Sequence, residues 1–169
     1  MDEIDSIFYV RPLERDDRNW VAHFLDKRWR STKIVSRGKS VYAHLLPGFM
    51  AELKDMPEDA EPAGLLTYNI EGDACEITTL NSLQPNIGVA TALVTAIKQH
   101  AVEAGLRRMW LITTNDNMEA LAFFQKRGFR LVAVHRDALS EARKLKPQIP
   151  LAGYRGIQLF DEIELEVML

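Results

Sequence analysis

Apolar residues recur along this chain with two spacings, and each spacing predicts a different kind of element. Alternating or short continuous apolar runs predict strands over 7–13, 49–54, 63–70, 74–80, 107–114, 129–137 and 157–169. Apolar residues spaced three and four apart predict helices over 14–29, 88–104 and 115–128. The middle strands follow one another through short turns, whereas the later ones are separated by helices. The pattern therefore predicts an α/β fold with a mixed sheet.

Two segments show weaker patterns. Residues 30–48 combine basic residues, glycine and proline around Ile34 and Val35, which predicts a loop with one short strand. Residues 138–156 indicate a long, partly basic connection. By contrast, Glu71-Gly72-Asp73 joins two strand-like runs, and a glycine in that place predicts a tight hairpin turn.

Composition narrows the class of protein. The 169 residues are 47% apolar and 27% charged, which predicts one domain over 1–169. The net charge of −3 argues against nucleic acid as a partner. The single cysteine, Cys75, excludes an internal disulfide framework and is expected to be a small buried residue. An acidic N-terminus without a long apolar run predicts neither a signal peptide nor a membrane partner, and hence a cytoplasmic protein.

The stretch "LQPNIGVATALV" at 83–94 passes from a strand directly into a helix. Gly88 and Ala90 are small, and the start of a helix presents N–H groups without intrahelical partners. Backbone N–H groups of residues 87–91 can therefore bind a phosphate, with Thr91 as a further donor. The alternative is a tight turn that needs small residues only for helix packing, with Thr91 as an ordinary first-turn residue.

A second motif follows about 27 residues later. It comprises Asn117, Ala120, Phe123, Lys126, Gly128 and Phe129. Together with the turn Pro85–Ala90, it resembles the motifs of the GCN5-related N-acetyltransferase (GNAT) family. The resemblance implies a mixed, mostly antiparallel sheet flanked by helices, with a bulged fourth strand over 75–85 and a splayed cofactor cleft.

The resemblance also implies a cofactor, acetyl-CoA, and no metal. The pyrophosphate is expected at the turn and the pantetheine arm along the strand before it, where Leu83 offers its main chain. Asn117 is expected to bond the pantetheine, or else only to cap its helix. The cofactor-binding residues implied are Leu83, Asn86, Ile87, Gly88, Val89, Ala90, Thr91, Asn117, Phe124 and Lys126.

Three positions depart from the family's pattern. Pro85 stands where an arginine or glutamine is usual, and Ile87 where a basic or polar residue precedes the glycine. Phe124 replaces a tyrosine that many members use to protonate the leaving thiolate. A phenylalanine has no proton to give, so we expect it to pack beside the thiol and a water to supply the proton.

Acetyl transfer to an amine, the reaction that the resemblance implies, requires the neutral amine. A general base must therefore remove the proton of the ammonium. Glu76 occupies a position where several members of the family carry a glutamate, although a solvent-facing strand residue is an open alternative. Alternation places Glu76, Thr78 and Leu80 on one face before any bulge. Asn81 and Ser82, near the expected bulge, are alternative polar groups beside the thioester.

The expected activity is transfer of an acetyl group to a primary amine of a small molecule or peptide. The alternative is a non-catalytic module that binds an acyl-CoA. Basic residues in 28–39 and 142–156 would suit an anionic acceptor, but solvated loop residues are the more ordinary interpretation. Glu162, Glu164 and Glu166 alternate with apolar residues, which predicts a strand with one wet face. The last two strands are expected to pair antiparallel and to contribute to a homodimer or to the acceptor pocket.

Overall fold

The computed structural model describes residues 6–169; the acidic start of the chain, residues 1–5, on which part of the signal-peptide prediction rests, lies outside this range. Its strands are β1 (Phe8–Pro12), β2 (Lys33–Ser36), β3 (Lys39–Tyr42), β4 (Gly48–Leu53), β5 (Gly64–Glu71), β6 (Ala74–Ser82), β7 (Arg108–Thr114), β8 (Arg130–His135) and β9 (Glu162–Met168). Its α-helices are α1 (Arg18–Trp29), α2 (Val89–Glu103), α3 (Met118–Lys126) and α4 (Ala138–Leu145). Within residues 6–169, no helix has the length and apolar character needed to cross a membrane.

Seven strands form one sheet in the order β1-β4-β5-β6-β7-β9-β8. Every neighbouring pair is antiparallel except β6 and β7, which run parallel because α2 connects them. The mixed, mostly antiparallel sheet predicted from the sequence is thereby confirmed. The predicted hairpin is also present, with Gly72 at φ 63° between β5 and β6.

The larger apolar core lies on the face of the sheet that α2 and α3 cover. Leu93 and Ile97 of α2 are fully buried against sheet residues such as Leu66 and Leu165. Cys75 belongs to this core, and burial raises the pKa of its thiol to about 12. The prediction of a small, inert buried residue at this position is confirmed.

The opposite face carries α1 and a smaller cluster. Val21, Phe24 and Leu25 of α1 pack against Leu65 of β5 and Ala43. Leu65 and its neighbour Leu66 point to opposite faces, as alternation along a strand requires. The sheet is therefore covered on both sides, and residues on the α1 face need partners of their own.

Residues 30–48 were predicted as a loop with one short strand, and this prediction was wrong. β2 and β3 form a separate two-stranded sheet with a tight turn at Arg37 and Gly38. Both turn residues have positive φ, 51° and 75°, as a two-residue turn matching the twist of the strands requires. In the sequence only Gly38 indicates such a turn, because an arginine rarely adopts a positive φ.

The connection over 138–156 was also misjudged, because it begins with helix α4. Leu139 and Ala142 bury one face of α4 against Leu159 and Val35 of β2. The guanidinium of Arg143 donates to the carbonyls of residues 149, 150 and 159, which holds the following loop in place. α4 thus supports the β2–β3 hairpin from behind. The predicted antiparallel pairing of the last two strands is confirmed for β8 and β9, but residues 157–161 precede β9 and are not part of it.

Candidate functional site

A cleft opens where β6 and β7 separate. The two strands pair only over Ala74–Glu76 and Arg108–Trp110, although β6 continues to Ser82 and β7 to Thr114. Beyond these pairs the facing edges lack a strand partner within the described chain, and their main-chain groups are available to an extended ligand. The splayed cleft implied by the resemblance is therefore present.

The turn before α2 lies at one end of this cleft. Gly88 caps the helix with φ 83°, and Asn86 also has a positive φ of 64°. The first helical bond runs from the N–H of Ala92 to the carbonyl of Gly88, so the N–H groups of 89–91 have no partner inside the helix. A β-carbon at position 88 would meet no protein atom within 4 Å. The glycine is thus required by its backbone conformation and not by crowding within the chain.

Arg127 places a positive charge beside this turn. Its guanidinium donates to the hydroxyl of Thr91 and to the carbonyl of Phe123, and it stacks 3.5 Å above the centre of the Phe123 ring. The Thr91 hydroxyl, predicted as a phosphate donor, accepts this bond. The sequence analysis missed Arg127, which lies directly before Gly128 of the second motif and lends α2's first turn the charge that Ile87 cannot supply.

The predicted main-chain contact at Leu83 needs a correction. The Leu83 N–H donates to the carbonyl of Ala63, 2.8 Å away. This donor therefore points towards the chain at β5 and away from the cleft. Main-chain groups of adjacent strand residues point to opposite edges. The groups of Ser82, one residue earlier, are therefore directed towards the cleft.

The side chain of Asn117 is engaged within the protein. Its Oδ1 accepts from the N–H of Ala120 at 3.2 Å, and its Nδ2 donates to the Thr113 hydroxyl at 3.0 Å. The alternative that Asn117 caps α3 is confirmed, and a contact with a cofactor stays a prediction. Lys126, two turns further along α3, is exposed.

Phe124 lies in the core under α3. Its ring is buried and meets the rings of Phe123 and Phe129 edge-on, with centroids 5.0 and 5.1 Å away. No hydroxyl stands at this position, so the acid role of the usual tyrosine is vacant. Whether the ring also lines the thiol end of the cleft stays a prediction.

A bulge in β6 decides which of its residues face α1 and the β2–β3 hairpin. Thr67 pairs with Thr79 but Tyr68 pairs with Ile77, so Thr78 is an extra residue. The hydroxyl of Thr67 bonds those of both Thr78 and Thr79, at 2.7 and 2.6 Å. The bulged strand implied by the resemblance is present. β6 is the fourth strand of the main sheet in chain order.

The bulge overturns the predicted alignment of Glu76 with Leu80. Leu80 packs into the α2-side core with Ile77, whereas Asn81 pairs with Leu65 and shares the α1 face with Glu76. Asn81 is buried, and its Oδ1 has no hydrogen-bond partner within the described part of the chain. Ser82 is exposed, and its hydroxyl donates to the carbonyl of Gln84. An acceptor oxygen buried without a donor marks a place where a ligand or water is needed.

Glu76 is partly buried beneath the tip of the β2–β3 hairpin. The hydroxyl of Ser36 donates to its Oε1 at 2.7 Å. Burial raises the pKa of Glu76, the Ser36 bond opposes the rise, and the charges of Glu162, Glu71 and Glu164 add to it. A carboxylate with a raised pKa is better matched to taking a proton near neutral pH than an exposed one. The alternative of an ordinary solvent-facing residue does not fit this environment.

Glu162 and Glu164 of β9 lie on the same face, and the predicted wet face was wrong at both positions. They are only 3% and 5% exposed. The hairpin tip covers them: Arg37 donates to Glu164 at 2.6 Å, while Arg108 and His135 also bond Glu164. We call Glu76, Glu162 and Glu164 the carboxylate cluster.

Several basic residues proposed for an anionic acceptor have partners within the protein. Lys33 donates to the Leu145 carbonyl, and Arg143 donates to three carbonyls. The Nζ of Lys39 lies 3.4 Å from Oε1 of Glu71. Arg37 is paired with Glu164. The loops therefore offer less free positive charge than their composition indicates, and the surface beneath them is acidic.

Comparisons with known proteins agree with this architecture. A profile of the Acetyltransferase (GNAT) family matches residues 47–129, which run from β4 to the end of the second motif. Two relatives from Bacillus subtilis (strain 168), the uncharacterized proteins YdhI and YxbD, are each 38% identical to this chain. The YdhI match covers 91% of this chain and 94% of the relative, and the YxbD match covers 92% and 96%.

Solved structures extend the likeness to the whole fold. A Bacillus subtilis acetyltransferase in complex with CoA has a TM-score of 0.67 at 20% identity, covering 96% of this chain and 99% of that one. Arabidopsis thaliana NAA60 in complex with acetyl-CoA has a TM-score of 0.69 at 16% identity, covering 96% and 98%. At these identities the likeness establishes the shared fold.

Proposed function

Because the chain belongs to the acetyltransferase (GNAT) family, we propose that it transfers an acetyl group from acetyl-CoA to a primary amine of a small molecule or peptide. The observation that carries this proposal is the cleft between β6 and β7, which has a helix N-terminus at one end and a partly buried carboxylate on its wall. A nucleotide pyrophosphate and an amine nucleophile require these two features respectively.

The cofactor end of the cleft fits a coenzyme A. The N–H groups of 87–91 surround the turn at Gly88, and Arg127 adds a charge next to Thr91. An extended pantetheine arm can pair with the free edge of β6, where the main chain of Ser82 points into the cleft. Complexes of two proteins of the same fold with CoA and acetyl-CoA support this assignment. We assign no metal to the reaction.

The reaction then divides among a few residues of this chain. Acetyl-CoA, when bound, supplies the activated acyl thioester. Glu76 takes the proton of the attacking amine, directly or through a water. The side-chain N–H groups of Asn81 and the main-chain N–H of Ser82 stabilise the charge that develops on the acyl oxygen. The departing thiolate takes its proton from water, because Phe124 has none to give.

Acetyl transfer is tested by incubating the protein with acetyl-CoA and a panel of primary amines, and following the release of free thiol. We expect thiol release that depends on at least one amine, with the acetylated product identified by mass spectrometry. Tight binding of acetyl-CoA without amine-dependent thiol release from any amine would support the alternative, a non-catalytic acyl-CoA-binding module, for which Phe124 is the favouring feature.

We also propose that a second copy of this chain pairs along β8. This strand lies at the edge of the sheet and exposes Leu131, Val132 and Val134. An exposed apolar edge strand favours pairing with another strand, and an antiparallel pair of identical strands closes a two-fold dimer. Light scattering should give a dimer mass that Val134→Lys lowers to that of a monomer; a wild-type monomer at micromolar concentration would refute this proposal.

A further inference from the structure

The carboxylate cluster holds more negative charge than its neighbours neutralise. Glu164 has three basic partners, Arg37, Arg108 and His135. Glu162 lies two residues away on the same face and is 3% exposed, yet its Oε2 has no hydrogen-bond partner among residues 6–169. Glu76 has only the Ser36 hydroxyl. Buried carboxylates are ordinarily paired or hydrogen-bonded at both oxygens, so the Oε2 of Glu162 has room for a cation or donor that the described residues do not supply.

The hairpin tip is the route by which such a partner would arrive. The Arg37 side chain is 48% exposed and reaches the cluster from the solvent side. Burial raises the pKa of Glu162, and this rise is opposed first by the backbone N–H of Arg37 and then by the charges of His135 and Arg37. The Arg37 side chain, a guanidinium on an apolar stem, therefore shows that this surface binds a cation.

From this arrangement we infer that the acceptor carries a second cationic group besides the amine that is acetylated, and that Glu162 binds that group where the Arg37 side chain now lies. This inference deepens the proposed function and rests on it. The reacting amine would lie towards Glu76 and the second cation towards Glu162. The acceptor class is thus a diamine, a polyamine, or a larger molecule with two amino groups.

The charges of this face argue against an anionic acceptor. A carboxylate or phosphate entering here would meet Glu76 and Glu162 without a free cation to receive it. Arg108, the other arginine of the face, bonds both Glu164 and Glu166. Like charges brought together in a partly buried place repel strongly, so an anion would be rejected.

The test compares matched amines. Steady-state kinetics would be measured with 1,4-diaminobutane, 1,5-diaminopentane and spermidine, and with butylamine and pentylamine as partners that lack the second charge. A charge-assisted hydrogen bond contributes roughly 1.5–3 kcal/mol, so we expect kcat/KM for a diamine to exceed that of its monoamine by at least about tenfold. Equal values for diamines and monoamines would overturn the inference.

Glu162→Gln keeps the shape and removes the charge. We expect it to raise the KM for diamines by at least about tenfold and to change the KM for monoamines much less. Glu166→Gln, on the same strand and face, is the matched control and should leave the diamine preference intact. A Glu162→Gln enzyme that keeps the full diamine preference would overturn the inference.

Arg37→Ala gives an independent measurement that does not depend on a buried substitution. Removing the competing side chain should lower the diamine KM and leave the monoamine KM unchanged. An unchanged diamine KM in Arg37→Ala would contradict the exchange of one cation for another.

Calorimetry of 1,5-diaminopentane with the CoA-loaded protein separates this inference from the proposed function. Diamine binding that Glu162→Gln abolishes, without acetylation of any amine, would support the cation site and refute catalysis. Acetylation of monoamines alone would support catalysis and refute the cation site.

Discussion

The cleft beside β6 has two regions that use different chemical groups. The proposed cofactor side presents main-chain groups, and the proposed acceptor side presents side chains. On the cofactor side, the turn at Gly88 presents main-chain N–H groups, and one local stretch of sequence, 83–91, determines their direction. On the acceptor side, the chemistry belongs to side chains from β2–β3, β6 and β9, segments up to 128 positions apart, as between Ser36 and Glu164. A backbone site persists through much sequence change, whereas a side-chain site changes with single substitutions. This difference fits a family that keeps one cofactor and varies its acceptors.

The two sides also differ in charge. Arg127 adds a cation beside the first turn of α2, where a phosphate is expected. In the carboxylate cluster, Glu162 forms no salt bridge with any residue that the structure describes, whereas Glu164 forms three. Each side thus complements a ligand of the opposite sign, and the following substitutions test the two sides separately.

The largest effect is expected at the turn. Gly88→Trp should abolish binding of acetyl-CoA, because the indole would fill the space in front of the N–H groups and φ 83° disfavours any side chain. Isothermal calorimetry measures this loss. Gly105→Trp is the control: Gly105 follows the other end of α2, has φ 75° and an equally open β-carbon position, and should leave the affinity intact. Equal affinities of Gly88→Trp and wild type would place the pyrophosphate elsewhere.

The second effect belongs to the acceptor side alone. Glu76→Gln should lower kcat by about 10²–10⁴-fold with little change in the affinity for acetyl-CoA, because a base is lost and the shape is kept. Since the pKa of Glu76 is raised, the wild-type rate should rise with pH through that value, and the variant should lose this limb. Glu58→Gln, in the exposed connection between β4 and β5, is a control that should retain wild-type kinetics. A wild-type kcat and an unshifted pH profile in Glu76→Gln would show that another group is the base.

The sequence predicts the turn at Gly88 and helix α2 well and the surroundings of the carboxylate cluster poorly, and the reason is locality. The apolar stripe of α2 and the helix-capping glycine are determined by residues within one turn of each other. The strand containing Glu162 and Glu164 was also predicted, together with the fact that both lie on one face. Which face is wet, however, depends on the hairpin tip at Arg37, and no local pattern records that a distant segment covers a strand.

Two elements escaped prediction for related reasons. The turn of the hairpin uses Arg37 where asparagine is usual, so its signal was weak. The helix α4 shows its apolar side only at Leu139 and Ala142, and its basic residues resemble those of a loop. The bulge at Thr78 is implied by the resemblance, but its position decides that Asn81 and not Leu80 shares a face with Glu76.

A smaller effect separates two neighbouring cations on the cofactor side. Arg127→Ala should weaken binding of CoA about tenfold, because a charged hydrogen-bond donor beside the phosphate is lost. Lys126→Ala, at the exposed neighbouring position, should weaken it less, since nothing within the structure orients that side chain towards the turn. Calorimetry with CoA and dephospho-CoA would show which phosphate each residue serves. A greater loss in Lys126→Ala would reverse the assignment.

The smallest expected effect is on thermal stability. It contrasts Glu162, whose buried Oε2 has no partner among residues 6–169, with Asp17, which is paired with Arg11. Burial raises the pKa of Glu162, so its contribution to folding is present below the ordinary value of 4.5 and is lost as pH rises through the raised value. Glu162→Gln cannot ionise and should unfold a few degrees above wild type at pH 7, with the difference shrinking towards pH 4.

Asp17 should behave in the opposite way. Arg11 bonds both of its carboxylate oxygens, at 2.7 and 2.9 Å, and holds its pKa below 3.8. Its contribution is present above the ordinary pKa and is lost as pH falls through the lowered value, so Asp17→Asn should be less stable than wild type at pH 7. Thermal unfolding at pH 4 and 7 measures both variants. If both substitutions changed the unfolding temperature in the same direction at pH 7, neighbouring groups would already stabilise the ionised carboxylate of Glu162, and the prediction would be wrong.

The extra residue in β6 also restricts how this gene can drift. Deleting Thr78 would restore strict alternation and turn the following stretch over, so that Leu80 would exchange faces with Asn81. Inserting a second residue would do the same. The connection over 54–63 can absorb the gain or loss of one residue, whereas the same change in β6 exchanges the two faces of the strand beyond it. Among descendants of this sequence, the spacing between Glu76 and Gly88 should change less than the length of any surface loop.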